Sequence, residues 1–230
     1  MPSTAEDRRR LFQTPPAQPL VAPSILSADF GCLAEECRSV IEGGADLLHV
    51  DVMDGHFVPN LSMGPAVCQS VRAHFPDVPI DVHLMVEDPD AFLEPFAKAG
   101  ADHLTVHVEV TSDPAATAQR IRDLGCSPGL ALNPETPIET LLPHIEAFDL
   151  ALVMSVHPGY SGQTFIPEVL EKVRVLRARH GDALRIEADG GVSPKTAPAC
   201  REAGYDVLVS ASSVFGSSDR ASDIAAIRGA

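Results

Sequence analysis

Short apolar runs alternate with amphipathic stretches from residue 20 onward. Bounded apolar runs of four to eight residues are typical of buried strands, and apolar residues three or four apart are typical of helices. The pattern predicts strands near 20–25, 46–52, 79–85, 102–108, 128–132, 149–155, 184–188 and 206–210. It predicts helices near 30–43, 65–75, 89–99, 114–124, 138–146, 167–180, 195–203 and 219–228.

Strict alternation of eight strands with eight helices indicates a parallel sheet. Closed on itself, such a sheet is a (β/α)₈ TIM barrel, and we expect one barrel domain over residues 20–230. An open doubly wound sheet is the alternative, but no GxGxxG turn follows the first strand. Residues 1–19 are polar and end in a proline-rich stretch, so we expect a disordered N-terminal tail.

Composition narrows the functional classes. The 230 residues carry a formal net charge of −15, which argues against nucleic-acid binding because that binding depends on Lys and Arg. No apolar run approaches the ~20 residues of a membrane span, and no apolar signal segment precedes the first strand. We therefore expect a cytoplasmic protein without nucleic-acid or membrane partners.

Four ionisable residues lie in the apolar runs, at the ends of strands two, three and seven: His49, Asp51, His83 and Asp189. A single histidine on a strand is more often a hydrogen-bonded core residue, and we interpret His103 and His107 as structural or surface residues. Active sites of such barrels lie at the carboxyl ends of the strands, where all four residues fall. Two imidazoles and two carboxylates suit one divalent ion per chain, with Zn²⁺, Fe²⁺, Mn²⁺ and Co²⁺ all plausible.

The two carboxylates of this set are also candidates for acid–base catalysis. An ion that chelates a carbonyl and an adjacent hydroxyl would acidify the carbon between them and stabilise an enediolate. Asp51 and Asp189 could then remove a proton from one face and return it to the other, which inverts a stereocentre. The alternative is that both serve only as metal ligands.

Further residues at the same ends of the strands suggest substrate contacts. Met53, Met85 and Met154 end three strands, and they are either soft core or an apolar wall around the reacting carbon. Small residues follow strands six, seven and eight and expose backbone N–H groups suited to a phosphate. The candidate residues in these loops are Gly159, Tyr160, Ser161, Gly162, Gly190, Gly191, Ala211 and Ser212.

From residue 20 to 228 the chain resembles the ribulose-phosphate 3-epimerase family. The resemblance rests on Ala22-Pro-Ser-Ile-Leu-Ser-Ala-Asp-Phe30, His49-Val-Asp-Val-Met-Asp-Gly-His-Phe-Val-Pro-Asn60, Met63-Gly-Pro65, Asp81-Val-His-Leu-Met-Val86, Ala131-Leu-Asn-Pro134, Val153-Met-Ser-Val156 and Asp189-Gly-Gly-Val192. It implies a metal-dependent barrel enzyme that interconverts D-ribulose 5-phosphate and D-xylulose 5-phosphate. It also implies a homo-oligomer, either a dimer or a hexamer, that works in pentose-phosphate metabolism.

The resemblance implies the metal ligands and the acid–base pair named above, with Ser24 and His83 as substrate contacts and the three methionines around the reacting carbon. The chain has His157, Tyr160 and Ser161 where the family usually has other residues, and Ala211 where glycine is usual. An added Cβ at Ala211 predicts weaker phosphate binding. Alternatives are D-allulose-6-phosphate 3-epimerase and a non-catalytic phosphate-binding barrel. A barrel decarboxylase or aldolase would need a lysine at a strand end, and none is found there.

Overall fold

The computed structural model describes residues 4–14 and 18–230, which contain eight parallel strands in one sheet. The strands are β1 Leu20–Pro23, β2 Leu48–Met53, β3 Ile80–Met85, β4 His103–His107, β5 Ser127–Leu132, β6 Leu150–Met154, β7 Arg185–Asp189 and β8 Val207–Ser210. Each pairs with its neighbour in the order β1-β8-β7-β6-β5-β4-β3-β2. A bridge between Ser24 and His49 joins β1 to β2 and brings the barrel close to closure. The predicted (β/α)₈ barrel is confirmed.

Helices follow the strands. They are α1 Ala5–Gln13, α2 Leu33–Glu42, α3 Pro65–His74, α4 Asp90–Ala99, α5 Pro114–Asp123, α6 Ile138–Leu141, α7 Leu170–His180, α8 Ala197–Ala203, α9 Ser212–Phe215 and α10 Arg220–Arg228. The helix predicted over 138–146 is instead the short α6 followed by a 3₁₀ turn at Ile145–Ala147. Across the described residues, every helix is too short or too polar to cross a lipid bilayer.

Each strand divides its side chains between two environments. On β2, Leu48, Val50 and Val52 belong to the apolar layer shared with the helices, whereas His49 and Asp51 contribute to the polar interior. All six residues of β2 are buried, as expected for a parallel sheet covered on one face and filled on the other. The barrel interior therefore accommodates polar side chains that the period-two pattern directs inward.

The N-terminal segment differs from the predicted disordered tail, because residues 5–13 form α1. Thr4 caps this helix, since its hydroxyl accepts the Asp7 N–H while the Asp7 carboxylate accepts the Thr4 N–H, each at 3.1 Å. Phe12 is fully buried, and its ring stacks on the His103 imidazole with centroids 4.5 Å apart.

Polar contacts fix α1 against the end of the barrel opposite the candidate site. Arg8 Nε donates to Asp102 Oδ1 at 2.9 Å, and Arg9 donates to the Gly125 carbonyl at 3.0 Å. The Arg185 guanidinium, itself buried, donates to the carbonyls of Leu11 and Thr14. The helix thus covers the interior at the amino ends of the strands.

We predict that Phe12→Ala destabilises the protein by about 3 kcal/mol, because the change removes a buried aromatic ring and leaves a cavity beside His103. Urea denaturation measures the loss. Phe30→Ala is the matched control, since Phe30 is 49% exposed. Equal stability of the two variants would contradict the docking of α1 in solution.

Candidate active site

The register between β2 and β3 aligns the ionisable residues. His49 is paired with Asp81, Asp51 with His83, and Met53 with Met85. Alternate residues of a strand share a face, so in each of these pairs both side chains, one from β2 and one from β3, point into the barrel. Asp189, at the end of β7, completes the group from the other side of the junction between β1 and β2, where the barrel closes.

The four predicted metal ligands converge. Donor atoms of His49, Asp51, His83 and Asp189 all lie within 4.8 Å of one another, and all four side chains are buried. Asp51 Oδ1 is 3.3 Å from His49 Nε2 and 3.3 Å from His83 Nδ1, and His83 Nδ1 is 3.3 Å from Asp189 Oδ2. Donors bound to one tetrahedral ion at about 2.0–2.1 Å lie about 3.3–3.4 Å apart, so the spacing fits a divalent ion.

The electrostatics of the cluster also favour a cation. Burial by itself would lower the pKa of His49, but Asp51 and Asp81 outweigh it and raise that pKa well above its ordinary value. Burial is likewise outweighed at His83, where Asp189 and Asp51 raise the pKa. The carboxylates therefore attract positive charge to the point where the donor atoms meet.

The two carboxyl groups facing this point have opposite pKa shifts. Burial would raise the pKa of Asp51, but His49 and His83 hold it well below its usual range. Burial and repulsion from Asp51 raise the pKa of Asp189. The Ser24 hydroxyl donates to the same carboxylate, at 2.5 Å from Asp51 Oδ2. Paired groups with divergent pKa values are suited to acid and base roles.

A buried carboxylate orients His49. Its Nδ1 lies 2.7 Å from Asp81 Oδ2, which leaves Nε2 directed at the cluster. Glu187 lies beyond this pair, with Oε1 3.6 Å from His49 Nδ1. Metal-binding histidines commonly donate their second N–H to a carboxylate, and the donation fixes the ring and its tautomer.

A second imidazole orients His83. Its Nε2 lies 2.8 Å from His107 Nε2, and the two rings stack with centroids 4.9 Å apart. His107 Nδ1 in turn lies 3.1 Å from Glu109 Oε2. Burial lowers the pKa of His107 to about 4, so its imidazole is neutral at pH 7.

A cavity of about 370 Å³ opens above the cluster, with Asp51 and Asp189 in its wall. The three predicted methionines and the predicted loop residues line it: Met53, Met85, Met154, Gly159, Tyr160, Ser161, Gly162, Gly190, Gly191, Ala211 and Ser212. Ser24, His49 and His83 are fully buried and outside this lining. The structure thus brings the predicted loop residues to one cavity, and Ser24 contacts Asp51, which lines it.

Two loops meet beside this cavity. The Tyr160 hydroxyl donates to the Pro59 carbonyl at 2.9 Å, and Asn60 Nδ2 donates to the Gly159 carbonyl at 2.7 Å. Gly191 has φ +66°, and a Cβ there would lie 2.7 Å from Phe165 N, so only glycine fits this turn. Ala211 has φ −102°, which an L-residue adopts without left-handed strain.

Several site residues were not predicted from the sequence. Asp81 and Glu187 lie two residues before His83 and Asp189 on the same strands. Because residues two apart on a strand share a face, this spacing could have predicted that both point into the barrel. His107, interpreted above as structural or surface, contacts His83 directly. Lys195 supplies a cation to the cavity wall from the loop after β7, and no strand pattern marks it.

The fold and the buried donor cluster define the class of protein: a (β/α)₈ barrel with a candidate metal centre at the carboxyl ends of its strands. The model of the ribulose-phosphate 3 epimerase family matches residues 20–215. The chain therefore belongs to the ribulose-phosphate 3-epimerase family. The predicted family and the enzymatic class, an epimerase acting on carbohydrates, are confirmed.

Curated relatives match over almost their whole length. The ribulose-phosphate 3-epimerase of Bacillus subtilis (strain 168) is 48% identical over 213 residues, which cover 91% of this chain and 98% of the relative. That of Mycobacterium tuberculosis (strain ATCC 25618 / H37Rv) is 49% identical over 214 residues, covering 91% and 92%. A rice protein named as the cytoplasmic isoform is 46% identical over 212 residues, covering 90% and 92%.

Solved structures of other enzymes share the fold alone. A 3-keto-L-gulonate-6-phosphate decarboxylase from Vibrio cholerae has a TM-score of 0.72 at 15% identity, covering 93% of this chain and 97% of that one. A 3-hexulose-6-phosphate synthase from Salmonella typhimurium has a TM-score of 0.70 at 17% identity, covering 91% and 97%.

We predict that Glu187→Gln changes how stability depends on pH. Burial and the nearby Asp81 carboxylate raise the pKa of Glu187 well above normal. Between about pH 4.3 and that raised pKa, the folded protein binds a proton that the unfolded chain releases, so wild-type stability falls as pH rises. Glutamine does not titrate, so the variant should gain stability relative to wild type from about pH 5 to about pH 8.

Urea unfolding of chelator-treated protein at the two pH values measures this difference. Glu202→Gln, an exposed change on α8, is the control and should show no such trend. A Glu187→Gln difference that stays constant with pH would mean that Glu187 is ionised in the folded protein.

Proposed function

We propose that the protein interconverts D-ribulose 5-phosphate and D-xylulose 5-phosphate with one divalent ion per chain. The observation that carries the proposal is the convergence of His49, Asp51, His83 and Asp189, of which Asp51 and Asp189 line the cavity. The names of two relatives indicate a ribulose phosphate as substrate and carbon 3 as the reacting position, and inversion there would give the xylulose phosphate.

The same four residues would hold the ion, and the donor spacing and the negative surroundings support this role. When bound, the ion would polarise the substrate's carbonyl and adjacent hydroxyl and so make the proton on C3 acidic. Zn²⁺, Fe²⁺, Mn²⁺ and Co²⁺ all suit a mixed imidazole and carboxylate set.

Asp51 and Asp189 would move the proton. In the ion-free protein His49 and His83 outweigh burial and lower the pKa of Asp51, whereas burial and the Asp51 carboxylate raise the pKa of Asp189. Asp51 would remove the C3 proton from one face of one epimer, and Asp189 would protonate the enediolate from the other. The roles exchange in the reverse direction.

The cavity walls would bind the rest of the substrate. Met53, Met85 and Met154 would exclude water from the reacting carbon, which keeps the electrostatic interactions strong. The loops that carry Gly190–Gly191 and Ala211–Ser212 would bind the phosphate through backbone N–H groups, and Lys195 would add a positive charge beside them. A cytoplasmic homo-oligomer, either a dimer or a hexamer, remains part of the proposal.

The test is turnover of two substrates with and without ion. Purified protein should epimerise D-ribulose 5-phosphate and act more slowly on D-allulose 6-phosphate. Chelation should abolish turnover, and one divalent ion per chain, counted by elemental analysis, should restore it. Full activity in metal-free protein would overturn the metal requirement, and a preference for the hexulose phosphate would overturn the substrate assignment.

We predict that Asp51→Asn and Asp189→Asn each lower kcat by at least ~10³-fold, the scale expected for loss of a general acid or base. Solvent deuterium should enter C3 during wild-type turnover. Ion content is measured in parallel, so that loss of a base is separated from loss of a ligand. Asp88→Asn, exposed in the loop after β3, is the control. Near-normal turnover in either variant would exclude that residue as a catalytic group.

A further inference from the structure

The two nitrogens of His83 face different partners. Nδ1 lies 3.3 Å from Asp51 Oδ1 and 3.3 Å from Asp189 Oδ2, whereas Nε2 lies 2.8 Å from His107 Nε2. A neutral imidazole carries its proton on one nitrogen and a lone pair on the other. Only the lone pair can bind an ion, so the position of this proton decides whether Nδ1 is available.

Two proton arrangements satisfy the contact between the imidazoles. In the first, His83 Nε2–H donates to His107 Nε2, which leaves the Nδ1 lone pair of His83 facing the carboxylates. In the second, His107 Nε2–H donates to His83 Nε2, which puts a proton on His83 Nδ1. The second also leaves a lone pair on His107 Nδ1, 3.1 Å from Glu109 Oε2.

Glu109 decides between the two arrangements because it can only accept. Its Oε1 accepts the Asn133 N–H at 2.7 Å and also the Thr136 hydroxyl, so Oε2 faces His107 as an ionised oxygen. Burial would raise the pKa of Glu109, but hydrogen bonds from His107, Asn133 and Thr136 lower it to about 2. An ionised Oε2 requires a donor on His107 Nδ1, which selects the first arrangement.

The loop that supplies these donors is itself held in place. Lys172 Nζ, on α7, donates to the carbonyls of Asn133, Pro134 and Thr136 at 3.0, 2.7 and 2.7 Å. The Glu109 carboxylate is thus fixed by contacts that involve none of the four candidate ligands. Its influence reaches the cluster through His107.

We infer that Glu109 and His107 are positioning residues for His83: together they keep its proton on Nε2 and leave Nδ1 free for the divalent ion. The inference rests on the proposed metal centre. It gives His83 the same control that His49 receives directly from Asp81, with a second imidazole interposed between ring and carboxylate.

Glu109→Gln tests the inference with almost no change in shape. The amide oxygen must face the Asn133 N–H, which can only donate, so the NH₂ group faces His107 Nδ1. His107 then carries its proton on Nε2 and directs it at His83, the arrangement that blocks the ion. We expect affinity for Zn²⁺, measured against a competing chelator, to fall about 10- to 100-fold. Nitrogen-15 NMR of the histidines should show the His107 proton moved from Nδ1 to Nε2.

Three further variants sharpen the test. Glu135→Gln, an exposed change on the same loop beside His157, should leave affinity unchanged. His107→Gln supplies an amide oxygen that can accept the His83 proton, so its affinity should stay within about threefold of wild type, whereas His107→Phe supplies no acceptor and should lose as much affinity as Glu109→Gln. Equal losses in the two His107 variants would overturn the inference, as would wild-type affinity in Glu109→Gln. Melting curves confirm that each variant is folded.

The outcomes separate this inference from the proposed function. A wild-type chain that binds Zn²⁺ but turns over neither sugar phosphate would overturn the function, and the affinity series would still decide the role of Glu109. Unchanged affinity in Glu109→Gln with an active wild type would overturn the inference alone. A wild-type chain that binds no divalent ion would overturn both the inference and the metal centre.

Discussion

Burial of charged groups inside the barrel is the constraint on which the rest of the site depends. A carboxylate or imidazolium removed from water is costly unless it has partners of opposite charge or hydrogen bonds. His49, Asp51, His83 and Asp189 satisfy one another, and each remaining polar atom of the two imidazoles is directed at a further group. The groups behind the two imidazoles are polar and need partners in turn: Asp81 behind His49, and His107 with Glu109 behind His83. Moving one ring would leave several buried groups of this site without partners.

Much of the architecture could be predicted because it follows from periodicity. Eight apolar runs separated by helical patterns admit few arrangements, and strand ends in a barrel meet at one rim. The ligand candidates could be identified because ionisable residues are conspicuous within apolar runs. Asp81 and Glu187 lie in the same runs, but their contacts depend on which residues of neighbouring strands lie opposite them. The sequence of a single strand does not determine that register. His107, interpreted as structural or surface, is buried, and its 2.8 Å contact with His83 joins β3 to β4, which neither strand shows by itself.

The N-terminal helix shows a different limit. Charged residues and a nearby proline-rich stretch favour disorder when the segment is considered alone. Two features of the sequence favour a helix here: Thr4 and Asp7 have the spacing of a capping box, and Phe12 is a large apolar residue among polar ones. Neither feature shows what the helix would pack against. What stabilises α1 is the open end of the barrel, where His103 offers a flat ring and Arg185 has donors directed at the helix carbonyls. Such a docking site exists only after the barrel has formed, so tertiary contacts decide the helix.

Solved structures that share this fold at 15% and 17% identity include a decarboxylase and a synthase. The fold supplies strand ends that converge, and the reaction depends on the side chains placed there. In this chain two carboxylates with opposite pKa shifts face one cavity. Asp81 contacts His49 from behind, and His107, itself in contact with Glu109, contacts His83. A single anchoring carboxylate would fix only one imidazole, and the free ring could then turn its N–H toward the cluster. Holding both rings would direct two ring nitrogens at the proposed ion.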